Sequence, residues 1–408
     1  MTSGYNKVDS AVMNKMNKVQ VLRLIHNKKI ISRSDIVKHT GLTPPTVTRI
    51  VEQLINEDGL VKYIGIGDSN GGRPPVMLAF DGTENFVIAI DLGATLIRGM
   101  LSDLNNDILM EIQISTELEK GYEAVMDNLA TVVARLLKKR DLNINKVIGV
   151  GIGIAGLADT KKGMIDFSPD FGWESVNIND SLRKRISLPF IFDNSTRLMA
   201  LGELNFGLGK NYGNFAVINI GYGIAAGIVI EGKTVFGSQG KAGEFGHIIV
   251  DQKSNIQCQC GNYGCLEALA SGRRIAALGK ELFERRESLK IIELCKNDPN
   301  LIDAKLVFEA ARSGDSSANE AMETAINYLG IGIASLVNLL DPEVIFMGGG
   351  VSSNGEMFIN SLKKAIESYL ISRQKKLDIK SVTFGDYATL IGAFSLVVDK
   401  IIRFESLK

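Results

Sequence analysis

Apolar positions along the chain change rhythm near residue 85, and the two rhythms predict two kinds of structure. Over residues 19–60 they recur at helical spacing, enough for three short helices. The second starts at Ser32-Arg33-Ser34-Asp35, with Ser32 as N-cap, and Gly41 can end it in a left-handed conformation. Leu42-Thr43-Pro44-Pro45-Thr46 then opens a third helix, with Thr43 as a cap and prolines in a first turn whose amides have no partner inside the helix. Val47, Ile50, Val51, Leu54 and Ile55 fall on one face of it, leaving Thr46, Thr48, Arg49 and Gln53 pointing outward. Residues 60–64 alternate like a strand, GIGDSNGGRPP makes a Gly-rich turn, and residues 76–80 read as a returning strand.

From residue 86 the pattern is different: short apolar runs end in glycine turns, separated by amphipathic stretches such as 124–139 and 318–340. Ile88-Ala89-Ile90-Asp91-Leu92-Gly93 and Ile218-Asn219-Ile220-Gly221-Tyr222-Gly223 match at an offset of 130 residues. Each leads into a second strand, at 96–101 and 225–230, and residues 147–156 and 344–351 hold two further strand-to-glycine transitions. Strands alternating with helices predict an α/β fold with mixed sheets. The duplication predicts two similar lobes facing a cleft, and glycine turns behind strands can bring backbone amides to a phosphate.

Charge sharpens the first part of this picture. The 408 residues balance 46 basic against 46 acidic side chains, but residues 1–80 hold 11 basic and 6 acidic, a net of +5 that leaves −5 on the rest. A basic helix-turn-helix followed by a hairpin predicts a winged DNA-binding head over residues 1–80. Thr43, Thr46, Thr48, Arg49 and Gln53 would meet phosphates and major-groove base edges, and Arg73 at the hairpin tip a minor groove. A helical bundle for protein contacts, with Arg73 in a solvated linker, is the plainer alternative. No run approaches the roughly 18–20 apolar residues of a membrane span. The opening MTSGYNKVDS lacks the order of a signal peptide, so a cytoplasmic, membrane-free protein is expected.

Three of the four cysteines lie within eight residues, Cys258, Cys260 and Cys265, and His247 stands eleven positions before them. Three thiolates and an imidazole form a four-coordinate structural zinc set, with Gly261 and Gly264 permitting the tight turn. Cys295, alone in a helical stretch, reads as buried filler, and Trp173, the one tryptophan, as packing.

In these motifs the chain resembles the ROK family, named for repressors, open reading frames and sugar kinases, over essentially its whole length. The GGRPP turn is typical of its DNA-binding branch, which includes regulators of xylose, glucose and N-acetylglucosamine metabolism. The resemblance implies a two-lobed, actin-like (ribonuclease H-like) sugar-kinase body behind the head. Its lobes would span residues 81–197 plus 388–408, and 198–387. It also implies that Glu244, His247 and Glu267 bind sugar hydroxyls around the zinc, although the two glutamates could instead only orient metal ligands. Asn194 belongs to the same implied sugar site. So does Asp170, in Ser168-Pro169-Asp170-Phe171-Gly172-Trp173, where the family commonly has Asn.

A kinase needs a general base. In the family this is the Asp of an Asn-Asp pair before an Ala-rich helix ending in Gly-Glu. Registering from Gly202-Glu203 puts Asn194 on that Asn and Ser195 on the catalytic Asp. A serine hydroxyl is no base near neutral pH, and losing such a base typically costs about 10²–10⁴-fold. Tyr222 stands where active members have Thr. The expectation is a sugar-sensing repressor without catalysis, binding operator DNA as a homodimer or dimer of dimers. An active sugar kinase carrying a head, and a repressor controlled by a partner protein, are the alternatives.

Overall fold

A computed structural model describes residues 10–68, 74–352, 355–371 and 377–407. The chain opens with α1 (Ser10–Lys28), β1 (Ile30–Ser32), α2 (Arg33–Thr40), α3 (Pro44–Asn56), β2 (Val61–Ile66) and β3 (Val76–Phe80). Ser32 Oγ accepts the Asp35 amide at 3.1 Å to start α2, and Gly41 ends it at φ +70°. Thr43 takes the extended conformation of a cap, but its hydroxyl meets Thr46 Oγ1 at 2.8 Å and caps no amide. That corrects the capping role expected of its side chain. Val47, Ile50, Val51 and Leu54 are buried, whereas Ile55, at the flank of the apolar face, is only half-buried. β1 was not legible in the sequence, being three residues long, yet it pairs with β3 and makes a three-stranded antiparallel sheet ordered β1-β3-β2.

The body is built from two five-stranded sheets. The first contains β4 (Phe86–Leu92), β5 (Leu96–Asp103), β6 (Ile108–Ser115), β7 (Val147–Ile154) and β11 (Phe190–Asn194), ordered β11-β7-β4-β5-β6. Between β6 and β7 runs α4 (Tyr122–Leu137). A small sheet of β8 (Leu157–Asp159), β9 (Met164–Ser168) and β10 (Trp173–Asn177), then α5 (Ile178–Arg183), lies between β7 and β11. After α6 (Ser195–Asn205) the second sheet takes β12 (Phe215–Ile220), β13 (Ile224–Ile230) and β14 (Lys233–Thr234). Five helices follow: α7 (Leu266–Ala270), α8 (Gly272–Glu284), α9 (Leu289–Leu294), α10 (Ala304–Arg312) and α11 (Ser316–Leu340). β15 (Val344–Gly348), α12 (Glu356–Tyr369), β16 (Asp378–Ser381) and α13 (Ala388–Ile402) complete the body. α11 is long enough to cross a bilayer, but it lies in the second lobe with Ala325, Leu329, Ile333 and Val337 buried.

Read from β16, the second sheet is ordered β16-β15-β12-β13-β14. Both sheets therefore run parallel, parallel, antiparallel, antiparallel, and β4 and β12 hold the two glycine-turn motifs. The lobes exchange one helix each. α6 leaves the first sheet and packs on β12 and β13, while α13 leaves the second and packs on β4 and β7. The lobe boundary expected at residues 197 and 198 thus falls inside one continuous helix.

α6 and α13 cross with backbones touching. A Cβ at Gly392 would lie 2.0 Å from the Leu198 carbonyl oxygen, and one at Gly202 would lie 3.0 Å from the Gly392 nitrogen. The head joins this crossing through one apolar cluster containing Leu22, Ile25, Leu54 and Leu78 of the head with Leu198, Leu390 and Phe394 of the body. We expect Gly392→Ala to cost about 1–3 kcal/mol, the usual range for overpacking, and to lower the thermal midpoint by several degrees. Gly213→Ala, whose new methyl would meet only Glu343 Oε1 at 3.5 Å, should leave the midpoint nearly unchanged. Scanning calorimetry of both variants checks this.

Candidate functional site

A loop between β14 and α7 folds back on itself to form a candidate metal centre. Val250 donates to Gly264 at 3.0 Å and Leu266 to Ile248 at 2.9 Å, so the two arms lie side by side. Gly264 sits at φ +70°, where a Cβ would lie 1.9 Å from the Asp251 oxygen, so no other residue closes this turn. The closure gathers His247, Cys258, Cys260 and Cys265, whose donor atoms all lie within 4.8 Å of one another. His247 Nδ1 stands 3.6 Å from Cys258 Sγ, and Cys260 Sγ stands 3.7 Å from Cys265 Sγ. A tetrahedral ion with bonds of about 2.0–2.3 Å spans donor-to-donor edges of roughly 3.3–3.8 Å, so the set fits such an ion. Burial and the neighbouring cysteines push the Cys265 thiol up to about 12, and burial raises Cys258 as well. A bound cation is what would hold these sulfurs as thiolates.

The residues expected around the sugar converge beside this centre. His247 turns Nε2 toward Glu244 Oε2 at 3.9 Å. Glu267, on α7, is nearly buried; its Oε2 accepts the Ile224 amide at 2.9 Å and its Oε1 faces Arg273 at 3.4 Å. It therefore ties the metal loop to the Gly221-Tyr222-Gly223 turn, where a Cβ at Gly223 would collide with Oε2 at 2.5 Å. Asp170 arrives from the first lobe on the β9–β10 turn. Phe171 stacks on Trp173 at 4.4 Å and Tyr122 meets Trp173 edge-on at 5.0 Å, which fixes the turn and gives Trp173 its packing role. Burial, with repulsion from Glu267 offset in part by Arg273, pushes the Asp170 carboxyl up to about 6. Glu244 is pushed up to about 7, first by burial and then by Glu267, against the pull of Arg197 and Lys241.

Asn194 also has a structural task. Its Oδ1 accepts the Thr196 and Arg197 amides at 3.0 and 3.1 Å, and its Nδ2 donates to the Gly156 carbonyl at 3.0 Å. The side chain caps α6 and joins it to the β7–β8 turn, leaving one amide hydrogen for a ligand. Ser195 is the first residue of α6. Asp193 is locked in a buried ion pair with Arg197, whose Nε and a terminal nitrogen donate at 2.9 and 2.6 Å. This i,i+4 pair was visible in the sequence as spacing but was not singled out. Arg273 was also missed: its guanidinium lies 5.1 Å over the Tyr222 ring, beside the second glycine turn. At the first turn, burial pushes Asp91 up to about 6, with Arg98 opposing and Asp386 adding to the shift.

On the head, Thr43, Thr48 and Arg49 are exposed and Thr46 and Gln53 half-exposed along the start and outer side of α3. Arg49 is held by Asn14 of α1, donating to its Oδ1 at 2.9 Å. Arg73 lies outside the described residues.

The ROK family pattern matches residues 87–400. The chain belongs to the ROK family. It is 30% identical to the xylose repressor of Caldicellulosiruptor bescii over 394 residues, 96% of this chain and 98% of that protein. It is 32% identical to the glucokinase of Halalkalibacterium halodurans, but that match covers 77% of this chain against 96% of the kinase. Among solved structures, a ROK family transcriptional regulator, a homologue of the E. coli MLC protein, superposes with a TM-score of 0.80 at 26% identity, covering 96% of this chain and 97% of its own. A ROK glucokinase from Streptomyces griseus in complex with glucose and AMPPNP gives 0.68 at 31% identity over 76% of this chain and 99% of its own. Kinase relatives thus leave about a quarter of this ROK protein unmatched, and regulators do not.

Two outcomes follow from the site. Cys265→Ser should lose the tightly bound ion, read by metal analysis of purified protein, and unfold at a lower temperature than the parent. Asp170→Asn should change stability with a defined sign. A carboxyl held near 6 in the fold and about 3.9 unfolded binds its proton more tightly when folded, so stability falls as pH rises from about 4 to 6 and stays low above. The Asn variant should gain on the order of 2 kcal/mol at pH 7.5 and almost nothing at pH 4, measured as the difference between the two unfolding curves.

Proposed function

We propose that this chain is a sugar-responsive transcriptional repressor that performs no phosphoryl transfer. The observation that carries the reading is a basic head with the start of α3 exposed, sharing one apolar core with a body whose cleft gathers Asp170, Glu244, His247 and Glu267. Repressor relatives matched over nearly the whole chain support it. In this reading the head is a winged helix-turn-helix, α3 its recognition helix, and Thr43, Thr46, Thr48, Arg49, Gln53 and Arg73 its DNA contacts. Zinc, held by His247, Cys258, Cys260 and Cys265, is the structural ion. It leaves His247 Nε2 free to serve the ligand, and Asn194 contributes its remaining amide hydrogen. The protein works in the cytoplasm as a homodimer or dimer of dimers, because paired heads read paired half-sites.

Ser195 offers no base, and Asp193 cannot replace it while both its charge and its position are committed to Arg197. Tyr222, capped by Arg273, occupies the mouth of the second glycine turn.

Coupling to DNA has a physical route. Asn194 caps the start of α6 and Phe206 its end, about 18 Å away. Phe206 packs against Phe394 of α13 at 5.4 Å and His26 of the head at 6.2 Å, while His26 also meets Phe80 at 4.9 Å. Burial lowers the His26 pKa, which keeps this contact neutral. Arg23 of α1 reaches Asp399 of α13 at 3.1 Å, and Lys18 lies 4.4 Å over the Phe404 ring. A sugar that favours one lobe closure shifts the α6–α13 crossing, and the head moves with it.

Thermal unfolding of the full, metal-loaded chain against a panel of monosaccharides, each with and without ATP, tests the reading. One sugar at a hundred times its dissociation constant should add about 2.7 kcal/mol, with nothing further from ATP. ATP-dependent phosphorylation of any sugar in a coupled assay would overturn the non-catalytic assignment. Phe206→Ala should keep the sugar-induced shift but lose most of the sugar's effect on affinity for DNA selected by the protein itself, a coupling expected in the range of roughly 5–150-fold.

A further inference from the structure

The carboxylates of the cleft fall into two sorts, compensated and uncompensated. From that division, and resting on the sugar-binding reading above, we infer that the effector is an aminohexose carrying a protonated amine, selected by Asp170. Glu267 is compensated by the Ile224 amide and Arg273, Asp193 by Arg197, and Asp166 by Lys241 at 2.7 Å. These cations make their ion pairs with other carboxylates, although Arg273 also pulls on Asp170 and keeps one terminal nitrogen without a hydrogen-bond partner. Asp170 has no hydrogen-bond or ion-pair partner among the described residues, and the close contact of Glu244 is His247 Nε2 at 3.9 Å, with Arg197 and Lys241 pulling on it from farther away. Both are close enough to Glu267 to be repelled by it.

The metal centre does not supply the missing positive charge. Three thiolates around a divalent ion leave the set at net minus one, so it adds to the field that Asp170 and Glu244 already feel. A half-buried acid with no hydrogen-bond or ion-pair partner of its own is costly, and burial and Glu267 raise the Asp170 pKa against only a partial pull from Arg273. A neutral sugar brings hydroxyl donors but no charge. An ammonium group brings three donors and the charge together. An Asn at residue 170 would keep the shape and the hydrogen bonds, so the acid itself is what favours an amine.

Isothermal titration of the full-length, metal-loaded protein near pH 7, where a sugar amine and a carboxylate are both mainly charged, decides the matter. The ligands are D-glucosamine, D-galactosamine and D-mannosamine, each against its parent hexose and its N-acetyl form. At least one amine should bind about 10- to 100-fold more tightly than both neutral counterparts, as expected for a charge-assisted hydrogen bond. In Asp170→Asn, checked for an intact unfolding transition and metal content, that ratio should fall toward one. Neutral forms binding as tightly as the amines in every pair would overturn the inference and leave the repressor reading standing. A preference that survives in Asp170→Asn would overturn the role of Asp170. Absence of binding by any monosaccharide would take down both the inference and the sugar-sensing reading beneath it.

Discussion

The body depends on two helices that cross at backbone contact. Gly202 and Gly392 let α6 and α13 approach until one helix's Cα atoms meet the other's carbonyls. Each helix leaves the sheet of one lobe to lie on the sheet of the other, so the crossing is the seam between lobes. Side chains pin it: Asn205 Nδ2 donates to Ser395 Oγ at 2.7 Å, and the fully buried Glu203 accepts Thr383 Oγ1 at 2.7 Å. Packed interiors shift between discrete arrangements rather than deforming smoothly. The head rests on this seam through Phe206, Phe394 and Asp399, so in the proposed reading a shift of the seam would reach it.

Charge placement follows the same economy until the cleft is reached. Asp193 has Arg197, Glu203 has Thr383, and Glu267 has Arg273 and a backbone amide, so these buried acids follow a rule of pairing that Asp91 at the first glycine turn does not. Asp170 and Glu244 break the rule at the place where a ligand would sit. Acids left without close partners where a ligand would sit give up stability there, as binding surfaces do. The metal loop contributes rigidity to it, because one fold of chain sets both the four ligand atoms and the glutamates on either side.

In the proposed non-catalytic reading, the departures from a kinase are local by comparison. Ser195 and Tyr222 change two side chains while the glycine turns, the duplicated sheets and the seam persist. Removing a base abolishes proton transfer without disturbing the forces that close a cleft around a sugar. A sensor and an enzyme can then share one body, and relatives of both kinds occur at similar identity.

Much of this was legible in the linear sequence, for reasons of period and chemistry. Helix α3 follows from apolar spacing, α2 from Ser32 and Gly41, and the duplicated β4 and β12 from strands that end in glycine. The metal set follows from three cysteines and a histidine whose side chains have few other reasons to cluster. All of these are short-range signals, written within a dozen residues. What the sequence could not express is distance between remote segments. Asn194 read as a ligand residue, and the structure shows that Gly156, 38 residues away, takes one of its two amide hydrogens. Thr43 read as a cap until its hydroxyl found Thr46. The exchange of α6 and α13 between lobes, the head resting on their seam, and the raised pKa of Asp170 beside Glu267 and Arg273 arise only when segments far apart in the chain meet. Close packing and electrostatics act between neighbours in space, and only the tertiary structure decides who those neighbours are.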